Sequence, residues 1–225
     1  VTLNDTHMRL AASKGTTSWQ IVEALNAIDI LIGDIPKVPA EGSLAPGSYE
    51  IKFGDLRTDI LSTMAREQDQ RVANVWATRD RNTPVKTVEE LLVLASIIEK
   101  ETGVFDERFQ VASVFANRLD KGMPLQTDPT VIYGITLGKG PLGRGLRKSE
   151  LRRDTPWNTY VNRGLPPTPI ANPGLASLQA AVSPTETDYI FFVADGTGGH
   201  AFAATLLEHN RNVMAWQKVE AARKP

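Results

Sequence analysis

An α+β fold is what this sequence predicts, with a buried central helix and short antiparallel strands around it. Three observations carry that expectation. The run Leu91 to Ile98 is apolar nearly all round and follows a helix-start signal, which marks a helix packed on every side. Two short β-prone runs, Ser48-Tyr49-Glu50-Ile51 and residues 189–194, are bounded by turn-forming residues. Between the last helices lies a long Gly- and Pro-rich stretch, residues 122–173, of the kind that usually forms a functional surface. With 225 residues the chain can bury one large core or two small ones.

In chain order, Gly15 precedes a short amphipathic helix, residues 17–25, and a Pro/Gly loop at 41–47 leads into the first strand. Residues 58–75 read as a largely exposed helix with Ile60, Leu61, Met64 and Val72 as its inner stripe. The polar segment 78–86 is the expected boundary, which divides the chain into 1–83 and 84–225. Thr87-Val88-Glu89-Glu90 is a capping box for the apolar helix, and Gly103 is its expected stop. A second helix is expected over 107–119. After the loop-rich stretch, Asn172 is the expected cap of a helix that starts with Pro173. A strand over 189–194, a Gly-rich turn, a second short strand and a final helix capped by Thr205-x-x-Glu208 complete the chain.

Composition excludes several functions. Lys and Arg number 25 against 26 Asp and Glu, for a net charge of −1, so phosphate electrostatics does not hold this chain to nucleic acid or to an anionic membrane. The absence of Cys removes disulfides, thiolate metal sites and a Cys nucleophile. With only His7, His200 and His209, and no H-E-x-x-H, no metal site and no cofactor are expected. Gly138-Lys139-Gly140-Pro141-Leu142-Gly143 fits G-x-G-x-x-G formally. Gly134 interrupts the segment before it, Arg163 stands where an acid is needed, and a plain loop accounts for it better. There is no P-loop lysine and no G-x-S-x-G elbow. No apolar run reaches the ~20 residues of a membrane-spanning helix. The chain starts at Val1 without a signal-peptide pattern, so any anchor is expected upstream of it.

One feature breaks a local rule. Glu99 and Glu101 occupy the last turn of the apolar helix, where the macrodipole disfavours a carboxylate. Burial and mutual repulsion would both keep a proton on one of them, the state a general acid needs. The alternative is that both splay into solvent, screened by Lys100; periodicity does not choose between the two carboxylates. Gln126-Thr127-Asp128, Tyr133, Trp157-Asn158-Thr159-Tyr160 and Gly164-Leu165-Pro166-Pro167 combine amides, hydroxyls and aromatic rings, a mixture suited to sugars as well as to turns. His200 reads equally as a ligand-binding or a structural histidine. The cluster Arg144, Arg147, Lys148, Arg152, Arg153 reads as a solvated face that could guide an anionic polymer weakly.

The ordered motifs resemble a known family. Ala95-Ser96-Ile97-Ile98-Glu99-Lys100-Glu101-Thr102, residues 111–119, Gln126-Thr127-Asp128-Pro129-Thr130, Asn158-Thr159-Tyr160, Gly164-Leu165-Pro166-Pro167, Ala194-Asp195-Gly196 with Gly198-Gly199-His200, and His209-Asn210-Arg211 together resemble the YceG-like endolytic murein transglycosylases. The resemblance covers about residues 87 to 217. It implies a lyase that cleaves peptidoglycan strands internally between MurNAc and GlcNAc, leaves 1,6-anhydroMurNAc ends and terminates nascent strands. It implies Glu101, followed by Thr102, as the catalytic acid. Gln126, Thr127, Asp128, Tyr133, Asn158, Tyr160, His200 and Asn210 are the expected substrate-binding residues. Residues 15–22 are similar to part of a LysM-like module, so 1–83 is expected to be a partial LysM-like α/β unit and 84–225 the catalytic domain. The family further implies peptidoglycan synthases as partners and a place on the periplasmic side of the inner membrane, reached through an N-terminal helix outside this chain. A glycan-binding scaffold without chemistry and an ordinary glycosidase that releases reducing ends are the other readings.

Overall fold

The computed structural model describes residues 8–80 and 82–223. His7 lies outside them. Strand β1 (Met8–Ala12) pairs antiparallel with β2 (Gly47–Ile51), Met8 opposite Ile51 and Ala12 opposite Gly47. Helix α1 (Ser18–Asn26) starts where expected. The Thr17 hydroxyl accepts the Gln20 N–H, and the Gln20 side chain returns to the Thr17 N–H, which closes a capping box. Its buried Ile21, Val22 and Leu25 pack with Leu44, Ile51, Ile60, Leu61 and Met64 in one apolar cluster.

Helix α2 (Arg57–Ala77) serves two clusters in turn. Its first half packs in the front cluster, and Val72 and Val75 enter a second, larger one with α3 (Val88–Glu101) at its centre. Among its buried residues is a polar one, Gln68, whose amide donates to the carbonyls of Gly42 (3.1 Å) and Pro173 (3.2 Å) and so ties the front loop to the loop at Pro173. In α3, Leu91, Leu94, Ala95, Ile97 and Ile98 are wholly buried. Helices α4 (Arg108–Asp120) and α6 (Leu175–Val182) pack on it. Strands β3 (Phe191–Ala194) and β4 (His200–Ala203) form a second antiparallel pair, with α7 (Leu206–Arg223) across it.

Several expectations need correction. The loop-rich stretch contains a helix, α5 (Asp128–Thr136), with Pro in its first turn and a left-handed Leu137 as its C-cap. Gly134 sits inside it because an added Cβ there would run into Thr155. Helix α6 is capped by Gly174, two residues later than expected. The Asn172 side chain instead accepts the Leu44 N–H (2.9 Å) and donates to Thr16, Ser18 and Glu41, binding the front unit to the segment that precedes α6. Helix α3 does stop directly before Gly103, and its cap is an extended Thr102. In its cap, Thr87 accepts the Glu90 N–H as expected, but Glu90 reaches the Lys86 N–H, one residue before the cap.

Candidate active site

Glu99 and Glu101 are two residues apart, about 200° around an α-helix, so they leave α3 on opposite sides. The Glu99 side chain is only 3% exposed and fully partnered. It faces the Arg108 guanidinium at 3.4 Å and accepts bonds from Ser177 Oγ (2.8 Å) and the Gly174 N–H (2.9 Å). A Cβ at position 174 would lie 3.2 Å from Glu99 Oε2 and 3.0 Å from Lys14, so a larger residue there would crowd both side chains. Neither carboxylate splays into solvent, and Lys100 donates to the Gly15 carbonyl rather than screening them.

Among the described residues Glu101 has one direct donor, the hydroxyl of buried Thr127, which bonds to Oε1. Thr127 is itself fixed: its N–H donates to Thr159 Oγ1 (3.1 Å), its carbonyl accepts from Thr130 Oγ1 (2.7 Å), and Thr130 and Thr159 share a bond at 2.8 Å. Burial pushes the Glu101 carboxyl above its ordinary value, and the Asp128 charge pushes the same way. The Thr127 bond and the nearby basic side chains Arg118 and His200 oppose the rise without cancelling it.

Glu101 borders two cavities. The first, about 400 Å³, is lined also by Arg118, Leu125, Gln126, Asp128, Tyr160, Phe192, Val193, His209 and Val213. The second, about 320 Å³, is lined by Thr102, Gly103, the glycines of the β3–β4 turn, His200, Trp216 and Arg223. Glu101 is the residue the two linings share. Gln126 reaches the first cavity from a backbone at φ +52°, a left-handed conformation uncommon for this residue, held by its N–H bond to the Thr159 carbonyl (3.1 Å). Tyr160 donates to Asp128 Oδ1 (2.7 Å), and both line the same wall.

The expected site residues therefore separate. Gln126, Asp128 and Tyr160 stand around the first cavity with Glu101, His200 borders the second, and Thr127 lies beneath the carboxyl. Three do not join them. Tyr133 faces the front unit, where its hydroxyl donates to Glu41 (3.3 Å) and its ring meets Trp157 edge-on. Asn158 is wholly buried. Its amide N–H groups serve the carbonyls of Glu150, Leu151 and Arg153, and its oxygen accepts the Tyr160 N–H, so it holds the loop. Asn210 is exposed on α7 and lines neither cavity.

Sequence reasoning passed over Arg118, His209 and Trp216. His209, Val213 and Trp216 recur at i, i+4 and i+7, one helical stripe, and Asn210 falls about 100° off it. That stripe was the available signal. His209 stacks on Phe191 at 4.9 Å, and burial lowers its pKa, with Arg118 adding to the effect. Arg118 had no local signal: it donates to the carbonyls of Pro124, Leu125 and Ile190, and so pins the 124–126 loop and β3 together beside Glu101. His200 is anchored by Glu107, which accepts its N–H (2.8 Å) and meets Nδ1 (2.8 Å), leaving the other face of the ring to the second cavity.

Comparison with known proteins adds an independent observation. The model of the YceG-like family matches residues 2–215. An endolytic murein transglycosylase of Bacillus subtilis (strain 168) is 43% identical over 176 residues, which are 78% of this chain and 47% of that protein. One from Streptococcus pneumoniae (serotype 2, strain D39) is 34% identical over 180 residues, 77% of this chain and 31% of that protein. The chain thus spans half or less of the length of these relatives. A crystal structure of a yceG-like protein from Listeria monocytogenes is similar at a TM-score of 0.73 and 33% identity, over 90% of this chain and 75% of that one. A family match that runs over residues 2–215, with relatives at 43% and 34% identity and a matching fold, shows that the chain belongs to the YceG-like family.

Proposed function

We propose that this chain is the catalytic part of an endolytic peptidoglycan lytic transglycosylase, which cleaves the MurNAc–GlcNAc bond within glycan strands. The observation that carries the reading is the Glu101 carboxyl, biased toward its protonated form and set between two cavities that can each take sugar rings. Protonated Glu101 donates to the glycosidic oxygen while positive charge develops at C1 of MurNAc. The GlcNAc hydroxyl leaves with that proton. The Glu101 carboxylate then takes the proton of the MurNAc C6 hydroxyl, whose oxygen bonds to C1 and closes the 1,6-anhydro ring. Thr127 holds the carboxyl in place, and its hydroxyl bond stabilises the ionised state between the two steps.

Only one carboxylate reacts in this scheme. Asp128, bonded to Tyr160, orients the sugar and sets the charge around Glu101; Gln126 and His200 bind from the two cavities. The unit formed by β1, α1 and β2 is read as a LysM-like remnant that adds glycan affinity, which supports the division into 1–83 and 84–225. The setting is the cell envelope, on the outer side of the cytoplasmic membrane beside peptidoglycan synthases, where nascent strands are terminated. Among the described residues no helix is long and apolar enough to cross a membrane.

Mass spectrometry of purified strands incubated with this chain and with its Glu101→Gln variant tests the reading. Anhydro ends from the unsubstituted chain alone are the expected result. Reducing ends would make water the nucleophile and point to Asp128 as the second carboxylate. Binding without cleavage by the unsubstituted chain would make it a scaffold.

A further inference from the structure

Beyond Tyr160 the wall of the first cavity continues into a groove of about 460 Å³, lined by Lys148, Leu151, Arg152, Tyr160 and Val161. Tyr160 belongs to both openings, so the groove adjoins the cavity that holds Glu101. Its floor is apolar: Leu151 is half-buried, and Val161 is 46% exposed. Its polar members are cationic. The nearby acid Glu150 is already taken, paired to Arg144 through two bonds (2.6 and 2.9 Å) and to the Arg147 N–H (2.8 Å). Among the described residues neither Lys148 nor Arg152 enters an ion pair. The one aromatic hydroxyl at hand, that of Tyr160, donates to Asp128. A neutral sugar calls for amides, hydroxyls and ring faces, which this groove mostly lacks. It offers two unneutralised cations above a hydrocarbon floor, the complement of a carboxylate on an apolar stem.

We propose that this groove binds the carboxylates of the stem peptides attached to a strand lying in the cleft. The inference rests on the murein reading above and deepens it. Stem peptides leave the lactyl group of MurNAc, so a muramyl ring in the first cavity would present its peptide to a neighbouring opening. The groove favours strands still carrying peptide over stripped ones, through charge and without touching the reacting bond.

The test measures binding of three probes to the chain carrying Glu101→Gln, so that strands stay intact. The probes are peptide-bearing strands, strands stripped to bare lactyl carboxylates by an amidase, and neutral chitooligosaccharides. Peptide-bearing strands should bind tightest, and Lys148→Ala with Arg152→Ala should reduce that preference by about fivefold, an effect that shrinks as salt rises. The charge-keeping pair Lys148→Arg with Arg152→Lys should restore it. Arg153→Ala, one positive charge lost from outside the groove, should leave it intact, whereas Arg152→Ala, the same single charge lost inside it, should reduce it. Equal weakening of all three probes, an equal effect of Arg153→Ala, or no effect of the groove variants would overturn the inference while cleavage by the unsubstituted chain upholds the murein reading. A preference held fully by stripped strands would assign the groove to the lactyl carboxylate and overturn the stem-peptide assignment. If no strand binds and none is cut, both fall together.

Discussion

Glu99 and Glu101 leave the same helical turn toward two differently built regions, and the contrast shows how one carboxylate is tied into the core while the other is left facing open space. On the Glu99 side, a guanidinium, a hydroxyl and a backbone N–H converge on the charge, and the ionised form is satisfied. On the Glu101 side there is a single direct donor, a like charge nearby and two open cavities. Burial is common to both. What differs is compensation, and the group left under-compensated is the one that favours a proton.

Glu101→Gln is the most severe way to break the contrast. Cleavage should fall by about 10²–10⁴-fold, the worth of a positioned general acid. The same change should raise the thermal midpoint at neutral pH by a few degrees, because an ionised carboxyl with a raised folded-state pKa opposes folding. The sign is definite. The unfolded state gives up this proton at lower pH than the folded one, so the carboxyl costs stability as pH rises through the raised value. The gain from glutamine should vanish below the ordinary carboxylate range, and a scan of the midpoint against pH would show it. Next in size is Glu99→Ala, which strands Arg108 in the core and should cost about 3–5 kcal/mol in urea unfolding. Turnover per folded molecule should survive it. Loss of cleavage in a fully folded Glu99 variant would reverse the assignment.

Two further substitutions sharpen the comparison by moving Glu101 in opposite directions. Asp128→Asn removes a charge that raises its pKa, so the basic limb of the pH–rate profile should move to lower pH. Thr127→Val removes a bond that lowers it, so the limb should move to higher pH. The valine variant should also lose about tenfold in rate, as expected for one hydrogen bond to a charged group. Shifts in the same direction would mean the profile reports another group. The smallest effect belongs to the far end of α3: Thr87→Ala should cost about 1 kcal/mol of stability and leave the pH profile in place.

How much of this was legible in the sequence depended on how local each cause was. The buried helix, its Thr87 cap and its two terminal carboxylates follow from residues within one or two turns. The choice between Glu99 and Glu101 did not, because it is made by Arg108, Ser177, Gly174 and Thr127, brought in from other elements. Asn158 and Tyr133 read as sugar ligands because an amide or a phenol that satisfies a loop has the same composition signature as one that satisfies a glycan. Helix α5 was hidden by Gly134, whose reason for being there is the Thr155 side chain packed against it. Arg118 has no signature at all, since its role consists of three carbonyls outside its own helix, two in the next loop and one 72 residues on.

Helix α7 forms part of the wall of both cavities, yet it buries none of its residues and packs chiefly on the β3–β4 hairpin. Elements with so little burial open at a small fraction of the free energy needed to free a core helix such as α3. The wall over Glu101 is therefore easier to displace than the helix that carries it. On the murein reading proposed above, an outward swing of α7 would let a strand be laid in sideways rather than threaded in by one end.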